Sequence, residues 1–294
     1  MKVGIELTGK AYLPEAYAYQ SYLIDNGVSV ELAPIHDLSL NNDLIIAFMG
    51  FKKNHLKAKY RVIHEYHSLS TPPLARVKDY LKRHLNFQPN GRIFLNDKVE
   101  RIMSFKDNIP FIYRDMGVND HFISLSDKKK SKQFDIVYAG SINRKGLLKT
   151  VVNISKLGYK IVLVGKVNDI DRAIYEQYGI TLTGELLPKE ISSIFSLSRA
   201  GLNFTPNLYP YNIQTSTKTL EYLSAGLSLI SNKYLWIESF SKAHNIKPIW
   251  LEGLNSNFEL DQYTYNFDPE WYRWSNVLHR SNFMDFVESV YSKS

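Results

Sequence analysis

The chain opens a strand–helix–strand pattern twice, once at its start and again at residue 134. The first round begins with Lys2-Val3-Gly4-Ile5-Glu6-Leu7, a strand. Pro14 then stands at an early helical position, where its missing N–H costs nothing. Ala16, Tyr19, Leu23 and Ile24 follow as an apolar face, and Asn26-Gly27 ends the helix. Residues 28–32 form the second strand. The second round runs through a strand at 134–140, a helix at 147–157 and a strand at 159–165. Each round implies a parallel sheet with a right-handed crossover. The apolar run at 43–50 suits a strand buried on both faces. Further strands are expected at 60–68, 91–96, 180–184 and 200–206. At 294 residues the chain exceeds what one core usually supports. The expectation is an α/β protein of two Rossmann-like domains facing a cleft. The first spans 1–125, and the charged, apolar-free stretch 126–133 is the linker.

There is no cysteine, which excludes disulfides, thiolate metal sites and cysteine nucleophiles. No run of about 18 apolar residues could span a membrane, and no secretory leader pattern precedes the first strand, so a cytoplasmic location is expected. The net charge of +7 is unevenly spread. Residues 1–134 hold 20 Lys/Arg against 14 Asp/Glu, and the remainder 16 against 15. Part of this excess sits in residues 72–87, where Arg76, Lys78, Lys82, Arg83 and His84 accompany an apolar stripe of Leu74, Val77, Leu81 and Leu85. Such a helix suits peripheral contact with an anionic membrane, or a domain helix with a solvated basic face. Nucleic acid is not an expected partner.

The stretch with the most chemistry is 211–231, read as loop, short helix, glycine stop and buried strand. Ser216 or Thr217 can cap the helix, and Gly226 stops it. Lys218 and Glu221, three residues apart, project from one side. The positive end of a helix with free N–H groups suits a phosphate. A lysine for phosphate and a carboxylate for ribose hydroxyls make a nucleotide site. At the end of the strand 60–68 lie His64, Glu65 and His67. The two histidines do not alternate onto one strand face, and no third ligand at metal spacing accompanies them. No Gly-x-Gly-x-x-Gly follows either first strand, which speaks against a dinucleotide-dependent dehydrogenase.

The segment Ser216-Thr217-Lys218-Thr219-Leu220-Glu221-Tyr222-Leu223-Ser224-Ala225-Gly226 resembles the donor-site signature of GT-B glycosyltransferases of the retaining family 4 type. So do Tyr138-Ala139-Gly140-Ser141-Ile142-Asn143-Arg144-Lys145-Gly146, similar to the family's diphosphate loop, and residues 180–191, similar to its base-binding turn. The resemblance covers most of the chain. It implies a GT-B fold, with a donor domain at 134–274 and a C-terminal helix at 275–294 that crosses back to an N-terminal acceptor domain; the stretch 268–278, with Trp271 and Trp274, resembles the family's closing tryptophan-containing segment.

The resemblance also implies roles. Lys145 and Lys218 would neutralise the departing diphosphate, with Gly140, Ser141 and Arg144 beside it. Ser141 stands where the family carries arginine. Gly184, Glu185 and Leu186 would meet the base. Asn212, Ile213, Gln214, Thr215, Ser216 and Thr217 would meet sugar or phosphate, and Ile213 stands where many relatives carry a glutamate. Glu221 would hold the ribose. His67, with His64 as runner-up, would contact the donor sugar, and Gly9 and Lys10 lie in a loop that approaches donor or acceptor. The implied activity is retaining transfer of a hexosyl group from a nucleotide-diphosphate sugar, UDP-sugar by preference, to a glycan, lipid-linked or protein acceptor in bacterial cell-surface synthesis, without metal or other cofactor. The alternative is a catalytically degenerate protein of the same fold that binds a nucleotide or a partner.

Overall fold

The computed structural model describes residues 1–9, 13–52, 55–123, 131–260 and 267–292. Two compact units result: Met1–Gly117 with Arg273–Ser294, and Val118–Tyr272. Lys10 and residues 126–130 of the expected linker lie outside the described residues.

The first unit holds a parallel sheet of β1 (Lys2–Glu6), β2 (Ser29–Ala33), β3 (Leu44–Phe48), β4 (Arg61–Tyr66), β5 (Gly91–Phe94) and β6 (Phe111–Tyr113). Its order is β2-β1-β3-β4-β5-β6. All five residues of β3 are buried, as a central parallel strand covered on both faces requires. Helices α1 (Pro14–Asp25), α2 (His55–Lys59), α3 (Ala75–Leu85) and α4 (Asp97–Met103) connect the strands. In α1, Ala16, Tyr19 and Leu23 are buried as expected, but Ile24 is exposed on the last turn.

A larger correction concerns α3. Its stripe of Leu74, Val77, Leu81 and Leu85 does not pack on the core; all four side chains are exposed. Within the helix Ala75 and Asp79 are the buried residues. The Asp79 carboxylate accepts the Ser70 backbone N–H at 2.9 Å, and this bond turns the polar side inward.

The second unit begins with α5 (Asp120–Ile123) and continues as β7 (Phe134–Ala139), α6 (Leu147–Ser155), β8 (Ile161–Val164), α7 (Asp169–Gln177), β9 (Thr181–Gly184) and α8 (Pro188–Ser196). Then come β10 (Ser198–Asn203), α9 (Thr217–Ser224), β11 (Ser228–Ser231), α10 (Leu235–Ala243) and β12 (Ile249–Trp250). The sheet is parallel, in the order β12-β11-β10-β7-β8-β9. The chain builds outward from β7 in one direction, then returns to β7 and builds in the other. The reversal falls between β7 and β10. Ile136, Leu163, Ala200, Leu202 and Ile230 from four neighbouring strands join one core. Tyr222 of α9 lies flat over Gly201, where any Cβ would stand 2.2 Å from the ring. Its hydroxyl accepts the Ala139 N–H at 2.9 Å, so one side chain ties α9 to both strands of the reversal.

The chain ends in α11 (Trp274–Arg280) and α12 (Phe283–Ser292), both part of the first unit. Trp274 packs on Gly117, where a Cβ would meet the indole at 2.4 Å, and Phe286 and Val290 occupy the space beside Gly91. Phe283 meets Tyr19 at a centroid distance of 4.6 Å. Beneath them Arg114 donates to Glu65 and to the Tyr19 hydroxyl, each at 2.6 Å, and Tyr19 donates to the second Glu65 oxygen at 3.0 Å. All three side chains are sealed from solvent. The neighbouring carboxylate holds Arg114 firmly in its charged form.

Candidate functional site

Where a parallel sheet reverses its strand order, neighbouring connections leave in opposite directions and open a crevice at the carboxyl ends of the strands. The second unit has a cavity of about 260 Å³ at that point. Tyr138, Ala139 and Gly140 line it from the end of β7, and Leu202, Asn203, Phe204 and Thr205 from the end of β10. Arg144 closes one side. The segment Gln214 to Lys218, with Tyr211, brings the start of α9 to the other.

The start of α9 is fixed by a chain of hydrogen bonds. The Ser216 hydroxyl accepts the Thr219 N–H at 3.3 Å and donates to the Asn203 side-chain oxygen at 2.9 Å. The Asn203 amide in turn donates to the Tyr234 hydroxyl at 2.9 Å and to Ser231 at 3.0 Å. The helix N-terminus is thereby pinned to β10 and β11. Thr217 and Lys218 occupy the first two helical positions, whose N–H groups have no acceptor within a helix. Gln214 lines the cavity with its side-chain N–H₂ buried and unpartnered. A buried donor left unpaired costs about 1–3 kcal/mol, so a ligand acceptor there would recover that energy.

Charge in the cavity is positive. Arg144 lines it and donates one N–H to the Phe204 carbonyl at 2.9 Å, which leaves further guanidinium donors. Lys218 lines it too, and its ammonium meets Glu221 at 2.5 Å. Lys218 is about one third exposed, Glu221 about one tenth. Gly140 sits at φ +147°, and its carbonyl would collide at 2.3 Å with a Cβ on Gly165. The ends of β7 and β8 approach here so closely that residue 165 has no room for a Cβ.

Of the candidate residues, Gly140, Arg144, Gln214, Thr215, Ser216, Thr217 and Lys218 thus come together, with Glu221 joined through Lys218. Ser141 is exposed next to Gly140, and its carbonyl accepts the Tyr138 hydroxyl at 2.9 Å. Lys145 is exposed on the same loop, outside the cavity lining. Asn212 and Ile213 form a single 3-10 turn before the lining segment, and the Asn212 amide donates to Asn207 at 3.1 Å. Gly184, at φ +75°, ends β9, with Glu185 and Leu186 next in the chain and none of the three in the cavity lining. Asn203, Phe204, Thr205, Tyr138 and Tyr211 were not among the candidates. The signal for Asn203 was present, since an apolar strand that turns polar at its carboxyl end marks a crevice residue.

Gly9, His64 and His67 belong to the first unit. Gly9 has φ +66° with open space around it. His64 is wholly buried, edge-on to Phe87 at 4.8 Å, with both ring nitrogens unpartnered. Burial, then the charges of Arg92 and Lys52, push its pKa down to about 3. It is a neutral core imidazole with no surface to offer a ligand. His67 is half-buried beside Phe48, and burial lowers its pKa as well, opposed by the Glu15 carboxylate. Among the described residues no group of three or more His, Asp or Glu could hold a metal ion.

No family model and no curated protein matches the sequence. Solved structures do match the fold. AviGT4, a glycosyltransferase involved in avilamycin A biosynthesis, superimposes with a TM-score of 0.64 at 12% identity, over 99% of this chain and 98% of that one. Alr3699/HepE of Anabaena, in complex with UDP and glucose, superimposes with a TM-score of 0.56 at 11% identity, over 98% and 99%. Two parallel six-stranded sheets, a strand reversal with its cavity in the second unit and this likeness along the whole chain mean that the protein has the GT-B fold.

Proposed function

We propose that the protein is a glycosyltransferase that takes a sugar from a nucleotide-diphosphate donor, UDP-sugar by preference. The observation that carries this reading is the cavity at the strand reversal, where Arg144, Lys218 and the uncapped N–H groups of α9 converge. Each suits a diphosphate. Transfer of the glycosyl group leaves a nucleoside diphosphate carrying new negative charge on the departing oxygen. Positive charge and aligned N–H groups gathered at that point by the bound donor stabilise it. Glu221 takes the ribose hydroxyls, and Lys218, freed from Glu221, turns to the phosphates. Arg144 supplies the charge that Ser141 lacks. The complex of HepE with UDP and glucose supports a donor of this class for the shared fold. We assign retention of anomeric configuration, no need for a metal, and a glycan, lipid-linked or protein acceptor of the bacterial cell surface to the same reading.

Calorimetric titration with UDP, GDP and NAD, on wild type and Glu221→Ala, tests it. UDP is expected to bind in the micromolar range and to weaken about tenfold in the variant, a loss of about 1.4 kcal/mol. Absence of binding by UDP and GDP alike overturns the transferase reading and leaves a degenerate member of the fold.

A further inference from the structure

Helix α3 carries its apolar stripe on the outside. Leu74, Val77, Tyr80, Leu81 and Leu85 are 43–71% exposed and lie along one side, the aliphatic residues at spacings of three and four with Tyr80 beside Leu81. At 100° per residue that side lies opposite Ala75 and Asp79, the two residues that the helix buries. Single exposed leucines are ordinary on a protein surface, whereas a continuous stripe marks an interaction site.

The charges around the stripe identify the partner. Arg76 and Lys78 flank it at the start and His84 further on; Arg83 lies 5.3 Å from the Tyr80 ring and donates to the Met103 carbonyl, and Lys82 is turned inward to Asp79. Asp79 is the helix's one acidic residue, and it is turned inward to the Ser70 N–H and to Lys82 at 4.0 Å. The outer surface of α3 is therefore apolar and cationic, with no carboxylate. A second copy of the chain would present the same patch across a two-fold axis, cation against cation. A surface of anionic lipid answers both properties at once: acyl chains for the stripe, phosphates for the cations.

We propose that α3 seats the first unit on anionic membrane, lying flat with its apolar stripe at the boundary of headgroups and acyl chains. This proposal does not rest on the donor reading. The test is flotation of the full-length protein with vesicles of phosphatidylcholine alone or mixed with phosphatidylglycerol. The protein is expected to float with the mixture, to remain behind with phosphatidylcholine, and to be released as salt is raised. The double variant Val77→Gln, Leu81→Gln alters two exposed side chains, so its unfolding midpoint should match wild type while binding to the mixture falls roughly tenfold or more. Equal binding by the variant overturns the proposal, as does failure of the wild type to float. So does a wild-type dimer at sedimentation equilibrium that the same variant dissociates, since the stripe then belongs to a second copy.

Discussion

A neutral histidine in a core makes stability depend on pH, and His64 is such a residue. Its native pKa of about 3 lies far below the unfolded value, which is about 6.5. Above about pH 6.5 neither state binds the proton, and the group contributes nothing to the slope. Below that the unfolded chain takes up a proton that the native ring refuses. Stability is then lost as pH falls towards the native pKa, by at most about 1.4 kcal/mol per pH unit. Replacing the ring with an apolar side chain of similar size removes that loss. His64→Leu is therefore expected to gain about 2 kcal/mol over wild type when the pair is compared by urea unfolding at about pH 5 rather than pH 7. No change in the difference between the two proteins would mean that the ring is protonated in the native state. The sequence marks His64 as polar at a strand end and so as a site candidate. What hides it is Phe87, 23 positions later, and strand alternation carries no information about which face a distant segment covers. His67, just beyond the end of β4, escapes that burial in part.

Helix α9 was readable because its signals are local. The hydroxyl at 216, the apolar residues at 220 and 223 and the glycine at 226 each act within a turn or two, and all take the expected places. The bond from Ser216 to Asn203 was not readable, because it joins the helix to a strand 13 residues earlier. That bond makes Ser216 more than a cap. Ser216→Ala removes the acceptor for the Thr219 N–H, worth about 1 kcal/mol, and the donor to a buried amide oxygen, worth about 1 kcal/mol more. The second unit should lose about 2 kcal/mol by urea unfolding and bind UDP several-fold more weakly, with both effects largely restored in Ser216→Thr. Unchanged stability and binding in Ser216→Ala would show that packing of Tyr222 on Gly201 alone positions the helix. Helix α3 shows the converse limit. Periodicity found the stripe at 74, 77, 81 and 85 correctly, but periodicity states which residues share a face and not what that face meets.

The two strand–helix–strand restarts announced two parallel sheets, since each restart is a local pattern repeated. Strand order was not readable, because every buried parallel strand looks alike in sequence; the resemblance implied that the chain's last segment crosses back to the first domain, but not what share of that unit's core it supplies. That share is large. Trp274, Leu278, Phe283, Phe286, Val287 and Val290 are each at most 7% exposed, within a unit whose other residues end at Gly117. At about 1.5–3 kcal/mol for each buried side chain, their packing is worth on the order of 10 kcal/mol, as much as the whole stability of an ordinary domain. Their removal also uncovers Gly91 and Gly117, whose missing side chains are the sockets for Phe286 and Trp274, and strips the indole from the buried Arg114. A chain ended at Tyr272 should therefore lose the first unit while it keeps the second, whose residues 118–272 it retains in full. Hydrogen exchange resolves the two. Amides of β1, β3 and β4 should exchange at the rate of an unfolded chain, and those of β7, β10 and β11 should stay protected. Protection of β3 in the shortened chain would mean that the sheet and its own helices suffice, and that α11 and α12 cover a core already stable without them.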